Sequence, residues 1–328
     1  MRIFAELALV ILIATAAGAQ QDPAPSPPDA TTTITMAARI VAVDALVRDK
    51  TGDLIVDLAQ PDFTLKVDGH TQAVRYFNRD QDLPLTVGLL FDTSQSQHQY
   101  FDDEALAGSI FLRDTLTRSN DRAFLVAFDT SAFLLQPFTH SLPSLNNGLR
   151  LLGYRTNQLS SGANATHLYD AVVRVCGEVL EQDPTGANTG RRAILILTDG
   201  EDVGSRASVD EAIRAAQEAN TAVYSILYTR ETPDYPHVPG QRDGIGIMRR
   251  ISTETGGREF LVQRGVSISS VFGAIAQELR SEYRLAFTPP ESKPGKYHRI
   301  ELKANDPRLV VQARAGYWEK EQNSRTAK

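Results

Sequence analysis

Cysteine occurs once in this sequence, at Cys176, which excludes an intrachain disulfide and any zinc centre built from several thiolates. Basic tracts are missing as well. Lys and Arg number 34 against 40 Asp and Glu, for a formal net charge of −6, and no Lys/Arg stripe marks a nucleic-acid surface. The signatures G-x-S-x-G, G-x-x-x-x-G-K-[ST] and H-E-x-x-H are absent, which removes the usual sequence grounds for a hydrolase elbow, a nucleotide loop or a zinc protease. What is present is an ordinary globular composition, 42% hydrophobic and 23% charged over 328 residues, with room for about two domains.

The amino terminus reads as an export signal. In "MRIFAELALVILIATAAGAQ" a single Arg2 precedes an apolar stretch from Leu7 to Ala17, and Ala17-Gly18-Ala19 offers a small-x-small cleavage site before Gln20. The apolar stretch is short of the roughly 20 residues of a membrane span. Residues 1–19 are therefore expected to be a signal peptide, cleaved or else retained as an anchor, and the mature chain to be extracytoplasmic: periplasmic, surface-held or released. No membrane span is expected after cleavage. Residues 20–35, "QDPAPSPPDATTT" and its flanks, form a Pro-rich linker expected to be disordered.

From 36 to 81 the pattern is that of strands. Val41, Val43, Ala45 and Val47 alternate, and Asp68-Gly69 sits between two strand-like runs as a hairpin signal. Residues 281–318 have the same character: Ile300, Leu302 and Ala304 alternate with Arg299, Glu301 and Lys303, and "RLVVQARAGYW" offers a further strand. Each segment alone has too few strands to bury a core. One β-sandwich built from both chain ends is expected, with a polar tail at 319–328.

The middle, 82–280, is of a different class. "LTVGLLFD", "DRAFLVAFD", "RRAILILTDG", "TAVYSILY" and "REFLVQ" are apolar strand-like runs. Helical patterns lie between or after them: "LYDAVVRVCGEVL" with Leu168, Val172, Val175 and Val179 on one face, "SVDEAIRAAQEAN" opened by the capping pair Ser208 and Glu211, and "SISSVFGAIAQELR" with Val271, Phe272, Ile275 and Leu279. Continuous aliphatic runs alternating with helices predict an α/β fold, a doubly wound and mostly parallel sheet covered on both faces.

Such sheets bind ligands beyond the carboxyl ends of their strands. Asp92 ends one apolar run and Asp199 another, Ser94 and Ser96 follow Asp92 at alternate positions, and the loop "SSGANAT" sets Thr166 just before a helix. Five oxygen donors from three loops can therefore converge. Hydroxyls and carboxylates suit a hard divalent cation, Mg²⁺ foremost, with Mn²⁺ and Ca²⁺ suiting the same donor types. With only two acidic groups, such an ion stays short of negative charge and favours a carboxylate from outside. Taken alone, Asp-x-Ser-x-Ser is also what a helix cap looks like.

The set Asp92, Ser94, Ser96, Thr166 and Asp199 resembles the metal-ion-dependent adhesion site of von Willebrand factor type A domains. The resemblance covers about 82–280, and the strand-rich flanks are similar to those of secreted bacterial, acidobacterial-type proteins carrying this domain. It implies that Ser94 and Ser96 ligate the ion directly, Thr166 directly or through water, and the aspartates largely through water. It also implies a non-enzymatic module that captures an Asp or Glu of a protein partner. Two other functions compete: an assembly module of an envelope complex whose metal takes no part in recognition, and a Mg²⁺-dependent phosphoester hydrolase. The latter lacks an acid two residues after Asp92, where Ser94 stands. Asp202 and Ser205 read as a loop and cap leading to Ser208, or else as groups that support the site or face a partner; Cys176 reads as a buried core thiol, and His98 and His167 as polar rim. Partner identity and oligomeric state have no sequence signature.

Overall fold

The alternating run near the start forms β1 (Val41–Arg48), which buries Val41, Val43, Ala45 and Val47. The computed structural model describes residues 39–79, 83–159, 165–183, 190–228, 241–263 and 265–319. The expected signal peptide, the linker, the loop at 160–164 and the tail beyond 319 lie outside the described residues. After β1 come β2 (Phe63–Val67), β3 (His70–Thr71) and β4 (Tyr76–Asn78). The hairpin signal between β2 and β3 is realised. Asp68 and Gly69 take φ of 50° and 81°, the paired positive values of a two-residue turn matched to strand twist.

The middle of the chain alternates as its pattern requires. In order it contains β5 (Leu85–Asp92), α1 (Phe101–Thr115), β6 (Arg122–Phe128), β7 (Ala132–Thr139), α2 (Leu142–Leu159), α3 (Leu168–Arg174), β8 (Arg191–Thr198), α4 (Val209–Glu218), β9 (Ala222–Tyr228), α5 (Gln241–Thr255), β10 (Glu259–Val262) and α6 (Ile268–Arg280). These strands make one sheet, β10-β9-β8-β5-β6-β7. All neighbours in it are parallel except β7, which runs antiparallel to β6. Alternate residues serve opposite faces: Leu195 and Leu197 of β8 pack with α1 and α6, whereas Ile194 and Ile196 pack with α3 and α4. Two buried faces are why these runs are apolar at every position. Among the described residues no helix is long and apolar enough to cross a membrane.

Two features depart from the sequence pattern. Strand β7 was not among the predicted runs; it is an edge strand carrying Pro137, only partly buried, so neither a full apolar run nor a clean alternation marks it. The predicted helix over 168–180 is α-helical only to Arg174 and continues as a π turn, Val175–Val179. The wider turn adds a residue to the repeat. Accordingly Leu180 is buried where the pattern placed Val179.

The sandwich expected from both chain ends is present. β11 (Tyr283–Phe287), β12 (Tyr297–Ala304), β13 (Val310–Ala313) and β14 (Gly316–Trp318) complete two four-stranded antiparallel sheets, β13-β1-β11-β4 and β14-β12-β2-β3. Val43, Val47, Leu65, Val67, Leu285 and Phe287 share the core between them. Buried ion pairs lock this sandwich to the end of α6. Glu278 takes both Arg48 of β1 and Arg258, each at 2.6 Å. Arg191, at the start of β8, pairs with Glu282 at 3.4 Å and donates to the carbonyl of Leu279.

Candidate functional site

The sheet order places a topological switch point between β5 and β8. From β5 the chain moves outward to β6 and β7, then returns to β8 on the other side of β5. The connecting loops leave in opposite directions there and open a crevice at the strands' carboxyl ends. Asp92 is the last residue of β5, and Asp199 directly follows Thr198, the last of β8.

Four of the five predicted residues join one hydrogen-bonded cluster in that crevice. The backbone N–H of Ser94 donates to Asp92 Oδ1 at 2.9 Å. Ser94 Oγ lies 3.1 Å from Ser96 Oγ, and Ser96 Oγ donates to Asp199 Oδ2 at 2.6 Å. Ser94 stands at the N-cap position of a short 3₁₀ turn, Gln95–Tyr100, but its side chain makes no cap bond. Its hydroxyl faces the cluster instead.

Thr166 is held at the adjacent loop. Its N–H donates to the carbonyl of Val203 at 3.1 Å, and Val203 N–H donates back at 2.8 Å. Because Val203 lies four residues after Asp199, this main-chain pair ties the threonine to the Asp199 loop. Asp202 and Ser205 strengthen the same tie, and here the structure corrects the sequence reading. They cap α3 rather than lead into Ser208: the N–H of Tyr169 donates to Asp202 Oδ1 at 3.2 Å and Ser205 Oγ at 3.1 Å. Ser208 forms its predicted box with Glu211 independently. Gly204 sits between them at φ 105°, where a Cβ would come 2.9 Å from His167 Nε2.

Two members of the site have no sequence signal. Thr198 donates its hydroxyl to Asp92 Oδ2 at 2.6 Å. Gln97, fully buried, donates Nε2–H to Asp199 Oδ2 at 2.9 Å. Only the pairing of β5 with β8 brings these groups to the aspartates. His98 rests against Phe101, with ring centroids 5.3 Å apart, and makes no recorded bond to the cluster. Cys176 is buried and its thiol is pushed up to about 12 by that burial, as expected of an inert core thiol.

The electrostatics of the crevice follow from Asp92. Its carboxyl is 0% exposed and is pushed up to about 7, first by burial; the hydroxyls of Thr198 and Ser94 pull it down and the charge of Asp199 pushes it up again. Glu104, close enough to feel the charge of Asp92, is also buried. Burial foremost, and then the charge of Asp92, push it up to about 8 against the pull of Tyr228. The crevice therefore favours a positive charge.

The donor set fits a small hard cation. Neighbouring ligands of octahedral Mg²⁺, each at about 2.0–2.1 Å, lie about 3 Å apart; the Ser94 and Ser96 hydroxyls are 3.1 Å apart. Among the described residues no three His, Cys, Asp or Glu side chains gather into a metal site, so binding there depends on the hydroxyls.

No family model matches the sequence, and no curated protein matches it. Among solved structures, a von Willebrand factor type A protein from Catenulispora acidiphila overlaps 80% of this chain and 74% of its own, at 11% identity and TM-score 0.46. The conserved hypothetical protein BatB from Bacteroides thetaiotaomicron covers 59% of this chain and 96% of its own at 20% identity and TM-score 0.44. Proximal thread matrix protein 1 from the mussel byssus, solved with a zinc-occupied MIDAS motif, covers 60% of this chain at 13% identity and TM-score 0.47. The matched region spans about half of that mussel protein, 48%.

Proposed function

We propose that this chain is an extracytoplasmic, non-catalytic binding module that takes a protein partner through a divalent cation, with an Asp or Glu of the partner completing the ion's shell. Ser94, Ser96 and Thr166 supply neutral oxygens, and Asp92 and Asp199 supply the charge. When bound, the ion neutralises the buried aspartates and offers a Lewis-acidic position to an incoming carboxylate. The protein's own part is to hold these oxygens in place: Thr198 and the Ser94 backbone orient Asp92, Gln97 orients Asp199, and the Val203 pairing fixes Thr166. Mg²⁺ is the first choice of ion, and Mn²⁺ and Ca²⁺ suit the same oxygens. The export signal at 1–19 supplies the location.

The observation that carries this reading is the meeting, at the switch point, of two serine hydroxyls and two aspartates from separate loops around a buried, destabilised carboxyl. The test is calorimetric titration of Mg²⁺ and Mn²⁺ into chelator-treated protein, beside Asp92→Ala. Saturable binding by the wild type and none by the variant is expected. Equal binding by the two would end the assignment.

A further inference from the structure

Outside the cluster, the structure has a groove of about 470 Å³ between α1 and the start of α6. Tyr100, Leu106, Tyr228, Val262, Val266 and Ile268 line it, and Asp103 is the charged side chain among its described lining residues. Leu106 is 64% exposed and Val266 36%, an apolar lip left open to solvent. The volume is within the range of roughly 300–1,000 Å³ typical of ligand-receiving clefts.

The groove and the cation site are linked by the turn Gln95–Tyr100. Tyr100 ends the 3₁₀ turn that begins beside Ser94, and its ring stacks on Tyr228 with centroids 4.1 Å apart and planes at 16°. Tyr228 is the last residue of β9, so the groove opens at the same carboxyl edge of the sheet as Asp92 and Asp199. Ser96 and Tyr100 are four 3₁₀ steps apart, which at about 2.0 Å each is about 8 Å. An extended peptide covers that span in about two to three residues at roughly 3.3 Å each.

We propose that the groove receives a large apolar side chain of the same partner segment whose carboxylate is held at the cation, placed about two to three residues from that carboxylate. This rests on the cation-binding reading for its anchor and adds the second determinant of the partner. Tyr100 acts as the shared wall. Asp103 rejects a second acidic side chain at the groove, so the recognised segment carries one Asp or Glu and then Leu, Ile, Met or Phe.

The test uses the full chain and Gly/Ser-rich peptides with a single Glu, with or without a Leu three residues along, measured by fluorescence anisotropy in Mg²⁺ and in chelator. Burying the Leu is expected to tighten Mg²⁺-dependent binding by about tenfold or more. Leu106→Arg and, separately, Val266→Ser should remove that gain; both positions face solvent, so the fold should tolerate the changes. Moving the Leu to the position directly after the Glu should remove it too, since one residue at roughly 3.3 Å falls short of a span of about 8 Å. Equal affinities for the two peptides, each dependent on Mg²⁺, would overturn the groove assignment and leave the cation site standing. Affinity that ignores Mg²⁺ for both peptides would instead refute the cation-binding reading and take the linked groove with it.

Discussion

Replacing Asp92 by Asn tests the electrostatic reasoning without removing the side chain's volume. The carboxyl rises from an ordinary 3.8 to about 7 in the folded chain, so the folded state holds a proton that the unfolded state has released between those values. Stability then falls as pH rises through that window. At about 1.36 kcal/mol per unit, the ionised group costs the metal-free fold about 4 kcal/mol above pH 7. Asn carries no charge and recovers that amount, but its amide N–H₂ faces one of the two donors now served by carboxyl oxygens, the Ser94 N–H or the Thr198 hydroxyl. That mismatch costs about 1–3 kcal/mol. In chelator at pH 8 the variant should therefore be more stable than the wild type by about 1–3 kcal/mol, read from urea midpoints. Near pH 4 the difference should shrink toward zero, because the wild-type carboxyl is then neutral in the folded chain and its added O–H, like the Asn N–H₂, replaces one of the two acceptors. Millimolar Mg²⁺ should stabilise the wild type and leave the variant nearly unchanged. A variant less stable than the wild type at pH 8 in chelator would refute the account of Asp92 as an uncompensated buried charge.

Three further perturbations test neighbouring parts of the argument. Glu104→Gln removes a carboxyl that is pushed up to about 8; the wild type should lose stability as pH rises from about 4.5 toward 8, and the variant should show a smaller loss in paired thermal melts at pH 5 and 9. Thr198→Val takes away the hydroxyl donated to Asp92 and accepting from the Gly200 N–H, for an expected loss of about 2–3 kcal/mol in urea denaturation at pH 8 in chelator. Glu278→Ala strands Arg48 and Arg258 beside the end of α6. Because Arg258 is partly exposed, the loss should fall near the lower end of the roughly 3–5 kcal/mol seen for broken buried pairs. A single Glu278→Met change of similar volume should cost no less, since both arginines still lose their partner.

The sequence by itself determined the class of fold and the order of the candidate site residues. Runs such as "VGLLF" and "AILIL" are apolar at every position because both sides of the sheet are covered, and that pattern can be read without knowing which strands pair. The aspartates ending two of them, with Ser94 and Ser96 at alternate positions, are local features of the chain, as is the Asp68-Gly69 turn. Tertiary structure alone decided the rest. Gln97 and Thr198 join the site only because β8 pairs with β5, 106 residues apart at the Thr198–Asp92 bond. Asp202 and Ser205 cap a helix more than thirty residues upstream instead of the one they precede. Edge strand β7 is too shallowly buried to carry a hydrophobic signature, and the π turn after α3 shifts the buried stripe by one residue. The ion pairs at Glu278 and Glu282 link charges whose partners lie far away in the chain. A hydrophobic period records which face is dry; it does not record which distant polar group will meet a buried charge there.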